Sequence, residues 1–296
     1  MLSILIPTFN TAIFGLVQEV HDQADQCAIP YEIIVCDDAS TKEQPQNRDI
    51  THLTNCTYIT NTSNKGRTAT RNNLAQKATY DWVLFLDADV FPASKDFIKN
   101  YVSLLQNEDT VACIFGGIAY KEEEPTSQEI LRWTYGKCKE SKPASERIKN
   151  PHFIISQNLL IKKELFLEIN TFTENQYGLD NIFSYELKRK HINVVHIDNE
   201  VHHLGLESNK IFLQKSIDSL KTTITYEVLG IIPTDLRPVQ RIYTKLSAFL
   251  NSHKLIGYVV GLFEKQIKAN LMSKKPSMLL FDMYRLYHYI QLKSNA

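Results

Sequence analysis

The sequence predicts an α/β fold: a mostly parallel central sheet flanked by helices, followed by a helical C-terminal extension. Three observations carry this. Short runs rich in Ile, Val, Leu and Phe recur through the first two hundred residues, helical patterns lie between several of them, and beyond about residue 206 the chain reads as helix alone. Strands apolar along their whole length are buried on both faces, as they are in a parallel sheet covered by helices. The domains expected are therefore 1–205 and 206–296.

The runs 2–7, 31–37, 58–61, 82–86, 111–115 and 153–161 are the predicted strands, with helices over 11–27, 68–78 and 95–105 between several of them. A further strand is expected at 194–197. In the extension, Val239, Ile242, Tyr243, Leu246, Phe249 and Leu250 repeat at i, i+3, i+4 and i+7, which marks an amphipathic helix, and 278–292 is an aromatic-rich helix. Ligands of such sheets bind beyond the carboxyl ends of the strands. Those ends read Pro7-Thr8-Phe9-Asn10, Asp37-Asp38-Ala39-Ser40 and Asp87-Ala88-Asp89, so polar and acidic residues collect along one edge.

Composition excludes several classes. Lys and Arg total 33 and Asp and Glu total 33, so the chain has no strongly basic field and is not expected to bind nucleic acid. Only 10 glycines occur, about half of the usual share near 7%, and there is neither GxGxxG nor GxxxxGK[ST], which argues against a dinucleotide turn or a P-loop. Five dispersed cysteines without a CxxC pair suggest free thiols in a reducing compartment. The start has no basic region before its short apolar run, and no charge-free apolar segment approaches the ~20 residues of a membrane span, so a cytoplasmic chain is expected. From Arg241 onward nine basic residues face only Glu264 and Asp282. Basic aromatic helices of this kind suit peripheral contact with the inner face of an anionic membrane; packing on the α/β domain or in a homodimer is the alternative.

The triplet Asp87-Ala88-Asp89 follows a run that reads as a central strand. In extended geometry its two carboxylates project to the same side. Like charges that close need positive compensation, and a divalent cation, Mn2+ or Mg2+, is the simplest source; a solvated acidic turn is the alternative. Asp38 either accepts hydrogen bonds from a base or ribose, or caps the following segment. Arg67 and Arg71 are four apart at the start of a helix and share a face, suited to a diphosphate or simply to solvent.

In order, Leu2-Ser3-Ile4-Leu5-Ile6-Pro7-Thr8-Phe9-Asn10, 32–40, Asn64-Lys65-Gly66 leading to Arg71-Asn72, and Leu86-Asp87-Ala88-Asp89 resemble the family 2 glycosyltransferases, whose nucleotide-sugar-binding fold is called GT-A. The resemblance covers about residues 2–205. It implies that Pro7, Thr8 and Phe9 line a nucleotide pocket, that Asp38 binds the uracil edge of a UDP-sugar, that Arg71 lies near base or phosphates, that Asp87 faces the ribose and that Asp89 holds the metal bridging the diphosphate. The segment Tyr177-Gly178-Leu179-Asp180 looks like the family's Glu-Asp segment with leucine in place of the glutamate; Asp180 is then the general base that takes the proton of the acceptor hydroxyl, a helix cap being the alternative. His202-His203-Leu204-Gly205 is similar to the His-Leu-Gly of bacterial members, which makes His203 a metal ligand. Ser156 and Asn158 stand where members place acceptor-facing residues, and Gly116-Gly117 would permit a close approach of sugar or backbone, a bulge being equally serviceable.

The activity implied is an inverting, metal-dependent transfer of sugar from a nucleotide-sugar donor to a glycan or lipid-linked acceptor, in surface polysaccharide biosynthesis. Two rivals stand beside it. A sugar-phosphate nucleotidyltransferase would need a glycine-rich loop at the first strand, and residues 7–14 contain no glycine. A non-catalytic nucleotide-sugar-binding protein would have no use for Asp87, Asp89 and Asp180 together.

Overall fold

The computed structural model describes residues 1–105, 111–172, 174–249 and 252–294. They form two units: Met1–Lys121, Glu140–Asn175 and Glu186–Gly205 make the first, and Glu122–Lys139, Gln176–Tyr185 and Leu206–Ala296 the second. The passage at Gly205 is one boundary between them. Residues 122–139 and 176–185, which the sequence reading assigns to the catalytic domain, group with the helical unit instead.

In the first unit the apolar runs become β1 (Leu2–Thr8), β2 (Tyr31–Asp37), β3 (Cys56–Thr60), β4 (Trp82–Leu86), β6 (Cys113–Phe115), β8 (Asn158–Lys162) and β9 (Val194–His196). They form one sheet in the order β3-β2-β1-β4-β8-β6-β9. β1 pairs in parallel with β2 and β4, β2 with β3, and β6 with β9. β8 runs antiparallel to both its neighbours, so the sheet is mixed, and its lysine Lys162 lies 5.8 Å over the ring of Trp82, its register partner on β4. The expected strand over 153–161 begins only at Asn158, the residue that faces Leu86. Phe153, in the part that is not strand, is exposed.

Three short strands that the pattern does not announce, β5 (Val90–Pro92), β7 (Ile118–Ala119) and β10 (Val201–His203), make a second sheet in the order β5-β10-β7. Helices α1 (Phe14–Gln26), α2 (Arg67–Lys77), α3 (Phe97–Leu105), α5 (Ala144–Arg147) and α6 (Lys163–Ile169) belong to this unit. Its core joins the inner residues of β1, β2 and β4 to Leu16, Val17 and Val20 of α1 and to Phe97, Ile98 and Tyr101 of α3. Leu2, Ile4, Ile6, Ile33, Val35, Leu84 and Leu86 have no exposed surface, as strands covered on both faces require.

α4 (Ile130–Tyr135) lies in the second unit, and α7 (Asp180–Arg189) runs on from its segment 176–185. The rest of that unit is α8 (Asn209–Val228), α9 (Pro238–Ala248), α10 (Ser252–Leu262), α11 (Glu264–Leu271) and α12 (Met278–Ser294). Ser208 caps α8 by accepting from the Ile211 amide. The rings of Phe212 and Phe281 stack at 5.7 Å, with Tyr135 of α4 against Phe281 at 5.4 Å. Asn209 explains why α4 joins this unit: its side chain accepts from Leu131 N at 2.9 Å and donates to Ser127 O at 2.9 Å.

Glu227 is a buried charge of this unit. It accepts from Tyr289 Oη at 2.6 Å, Gln240 Nε2 at 3.0 Å and Lys293 Nζ at 2.8 Å. Burial pushes its carboxyl up, but the three donors together hold it below the ordinary glutamate value. The fold thus favours the ionised form. The stability it contributes is complete above the ordinary glutamate range and is lost as pH falls through and below it. Glu227→Ala takes the shared acceptor from three donors and breaks the ion pair with Lys293, and is expected to cost about 3–5 kcal/mol, read as a lower denaturant midpoint at pH 7. An unchanged midpoint would remove the ion pair from the account of stability.

On α10, Leu255, Tyr258, Val259 and Leu262 form an exposed row, while His253, Gly257 and Val260 face inward. Among the described residues no helix is long and apolar enough to cross a membrane.

Candidate active site

Parallel register sets the first part of the site. Thr8 on β1 is opposite Asp37 on β2, and Asp37 is opposite Thr60 on β3, so the loops after all three strands emerge side by side. Asp38 N donates to Thr8 O at 2.9 Å. The buried Asp38 carboxylate accepts from Asn61 Nδ2 at 2.7 Å, Lys65 N at 2.9 Å and Gly66 N at 2.8 Å. It therefore shapes the turn into α2. Gly66 is required there: its φ is +85°, and a Cβ would come within 2.4 Å of the Asn175 side chain. Asn10, at φ +54°, accepts at Oδ1 from Thr41 N and Lys42 N, both at 2.8 Å, which ties the loop after β1 to the loop after β2. Of the expected nucleotide-lining residues, Thr8 is buried, Pro7 partly so, and Phe9 presents its ring to solvent.

The two acids of Asp87-Ala88-Asp89 turn to different hydrogen-bonding partners, although the charge of Arg67 reaches both. Residues 87–90 form a turn, with Val90 N reaching back to Asp87 O at 3.4 Å, and this departs from the extended geometry in which the carboxylates would lie together. Asp87 is compensated by two guanidinium groups from α2: Arg67 Nη2 at 2.8 Å on Oδ2, and Arg71 on Oδ1. Arg71 is buried, whereas the Arg67 side chain is 40% exposed and so keeps surface for a ligand. Arg67 also donates to Ser156 Oγ at 3.3 Å. The shared face of Arg67 and Arg71 was legible in the sequence, but their common target was not.

Asp89 turns to β10. His203 Nε2 lies 3.3 Å from Asp89 Oδ2, and Leu204 N donates to Asp89 O at 2.8 Å. Tyr120 sets its ring edge-on to His203 at 5.5 Å. Burial pushes the Asp89 carboxyl up, but the His203 hydrogen bond and the charges of His203 and Arg67 outweigh it and hold the group below the ordinary aspartate value. Gly205 is the neighbour that makes this possible: a Cβ there would stand 2.2 Å from Asp89 Oδ2. Gly205 entered the sequence reading only as part of a motif, because the atom that excludes a side chain lies more than a hundred residues away along the chain.

Do these residues suit a divalent cation? A carboxylate oxygen and an imidazole nitrogen are accepted ligands of Mn2+, and adjacent ligands of an octahedral ion at about 2.1 Å stand about 3 Å apart, close to the separation observed. His203 Nε2 donates to the Asp89 carboxylate, whereas Nδ1 is buried and makes no hydrogen bond, so nothing opposes a shift of the proton to Nδ1 that would leave Nε2 to a cation. Among the described residues no group of three His, Cys, Asp or Glu side chains converges, so Asp89 and His203 would be two ligands of a cation whose other positions a substrate or water would have to fill. The donor set fits.

Asn158 departs from its expected role. It has no exposed surface; its Oδ1 accepts from Tyr101 Oη at 2.7 Å, and its Nδ2 donates to Gly117 O at 2.9 Å and Asn199 O at 2.8 Å. An amide spent in this way offers an acceptor nothing to touch. The close approach at Gly116 is likewise made by the protein itself, since a Cβ there would meet Tyr101 Oη, Asn158 Nδ2 and Asn199 O within 2.5 Å. Ser156 and Gln157 are nearly buried, and Gln157 Oε1 makes no hydrogen bond.

Asp180 opens α7 and lies in the second unit. Its position in the first turn suits a carboxylate, because the helix dipole favours negative charge there. Leu179, which stands where the family pattern has a glutamate, is buried. The turn before it passes through Gly178 at φ +102°, with Asn181 N donating to Gly178 O at 3.1 Å.

Comparison with known proteins adds to this geometry. The family model described as glycosyl transferase family 2 matches residues 3–169, more than half of the chain. The mannosyltransferase PcManGT from Pyrobaculum calidifontis, solved with GDP-Man and Mn2+, is similar over 99% of this chain and 86% of its own, at 16% identity and a TM-score of 0.55. TarS 1-349 from S. aureus with UDP-GlcNAc is similar over 99% and 92%, at 16% identity and a TM-score of 0.51. Glucosyl-3-phosphoglycerate synthase from Mycobacterium tuberculosis, with Mn2+, UDP and glucosyl-3-phosphoglycerate, is similar over 76% and 79%, at 14% identity and a TM-score of 0.50. At these identities the likeness is one of fold. No curated protein matches the sequence.

Proposed function

Because the chain belongs to glycosyl transferase family 2, we propose that it moves a sugar from a nucleoside-diphosphate donor, a UDP-sugar, to a hydroxyl of a glycan or lipid-linked acceptor with inversion. The observation that carries this is the meeting of Asp89 and His203 at 3.3 Å, with the charge of Arg67 in reach. The solved relatives support it: two hold Mn2+, and they carry GDP-Man, UDP or UDP-GlcNAc.

Asp89 and His203 would hold a divalent cation, Mn2+ or Mg2+, whose charge would offset that of the departing diphosphate. Arg67 adds a second positive centre, and Asp87 keeps both arginines in place. Pro7, Thr8 and Phe9 flank the nucleotide, and Asp38 acts by holding the backbone amides of Lys65 and Gly66. Asp180 takes the proton of the acceptor hydroxyl as it attacks the anomeric carbon, and Ser156 is the acceptor contact retained.

Calorimetry of UDP- and GDP-sugars with and without manganese tests the donor reading. Saturable binding, at least tenfold tighter with the metal, is the expected result. Failure of every nucleotide sugar to bind sinks it, and pyrophosphate release from UTP and a sugar phosphate would point to the nucleotidyltransferase instead.

A lipid-linked acceptor, as surface polysaccharide synthesis uses, places the enzyme at an anionic membrane. The exposed row on α10 and the nearby lysines Lys254, Lys265 and Lys268 favour that reading. The protein is expected to float with anionic vesicles at low salt and to be released as salt screens the attraction. A concentration-dependent dimer that ignores vesicles would overturn it.

A further inference from the structure

Two arginines of the helical unit lack a counter-charge. Arg237, at the start of α9, donates from Nη1 to Ser219 Oγ at 2.8 Å and Thr223 Oγ1 at 3.1 Å, hydroxyls one turn apart on α8. Arg285, on α12, has its Nε buried without a hydrogen bond, and its guanidinium carbon is 5.7 Å from the Phe281 ring. Among the described residues neither guanidinium is in an ion pair with a carboxylate. The charge that reaches Arg237 from its surroundings is that of Arg285, and the phenols of Tyr135 and Tyr177 nearby are neutral at pH 7. Burial first, and then the like charge of Arg285, bring the Arg237 guanidinium down to about 9. It remains charged at neutral pH.

Holding two partly buried cations within reach of each other's charge without an anion is costly, and hydroxyl oxygens offset only part of the cost. Both residues keep some exposed surface, so an anion from solvent can reach them. The guanidinium fork matches the oxygens of a phosphate. The location also matters. Gly178 lies directly on Ser219, where a Cβ would approach the Ser219 Oγ to 2.7 Å. The turn that ends in Asp180 is therefore part of the same neighbourhood, within one unit.

We propose that Arg237 and Arg285, with the hydroxyls of Ser219 and Thr223, bind a phosphate group of the acceptor and so present its hydroxyl to Asp180. This rests on the reading of Asp180 as the base and narrows the acceptor to a phosphate ester, whether soluble or the headgroup of a lipid.

The test uses the full chain at constant ionic strength. Inorganic phosphate is expected to raise the thermal midpoint saturably where chloride does not, and Arg237→Gln and Arg285→Gln to weaken that binding at least tenfold. Arg285→Gln removes no hydrogen bond, so it guards against a variant that fails to fold. Manganese-dependent UDP binding, measured on the same preparations, is expected to stay unchanged. Glycerol 1-phosphate and vesicles carrying phosphatidic acid distinguish the sources: the one that binds wild type and is lost in the variants carries the group. No saturable phosphate effect in wild type, or equal affinity in Arg285→Gln, overturns the site. Phosphate binding in a protein that takes no nucleotide sugar leaves the anion site standing and overturns its assignment to an acceptor.

Discussion

Asp180→Asn is expected to lower sugar transfer by about 10²–10⁴-fold while leaving donor binding intact. The substitution keeps the shape of the side chain and removes its basicity, so the attacking hydroxyl would lose the group proposed to take its proton. The fold should tolerate it. Asp180 stands in the first turn of α7, where loss of a negative charge costs about 0.3–1 kcal/mol. The measurement is a pair: turnover under saturating donor, and calorimetric binding of the nucleotide with manganese. Turnover near wild type would remove Asp180 from the chemistry. Loss of donor binding along with turnover would show that the residue acts on the donor instead.

Gly205→Ala is expected to weaken manganese binding by about 10–100-fold, the usual cost of disturbing a ligand's support, and to reduce transfer with it. The methyl group would stand 2.2 Å from Asp89 Oδ2 and 2.7 Å from its Cβ and Cγ. Backing away is hard for the main chain, because Leu204 N is bonded to Asp89 O at 2.8 Å. The carboxylate must therefore rotate off His203, and the two proposed metal ligands no longer meet. His203→Gln should weaken the metal comparably by removing the imidazole, while leaving the space beside Gly205 unchanged. Manganese titration followed by electron paramagnetic resonance reads both. Wild-type manganese affinity in Gly205→Ala would show that the Asp89–His203 pair does not hold the metal.

These two residues differ in how plainly the sequence announced them. Asp180 and Asp89 were legible because each sits in an ordered motif at the end of a recognisable element. Gly205 drew notice only as the end of His-Leu-Gly, since its reason for being glycine is a carboxylate from another strand. The same contrast runs through the fold. β1, β2 and β4 were readable as continuous apolar runs, because a strand covered on both faces must be apolar throughout. β5, β7 and β10 were not, since two or three residues carry no period. The pairing of the acids failed for a related reason: extended geometry sends both to one side, but the turn at residues 87–90 sends Asp87 to the arginines and Asp89 to the histidine.

The amino-acid order alone determined the α/β class, the polar edge beyond the strand ends, the helical character of the C-terminal part and the family. All of these rest on local periodicity and on motifs whose members are neighbours in the chain. Tertiary structure alone decided the antiparallel course of β8, the recruitment of residues 122–139 to the helical unit through Asn209, the burial of Asn158, and the uncompensated pair Arg237 and Arg285. Each depends on groups far apart in sequence, whose charges and hydrogen-bonding atoms acquire partners, or lack them, only once the chain has folded.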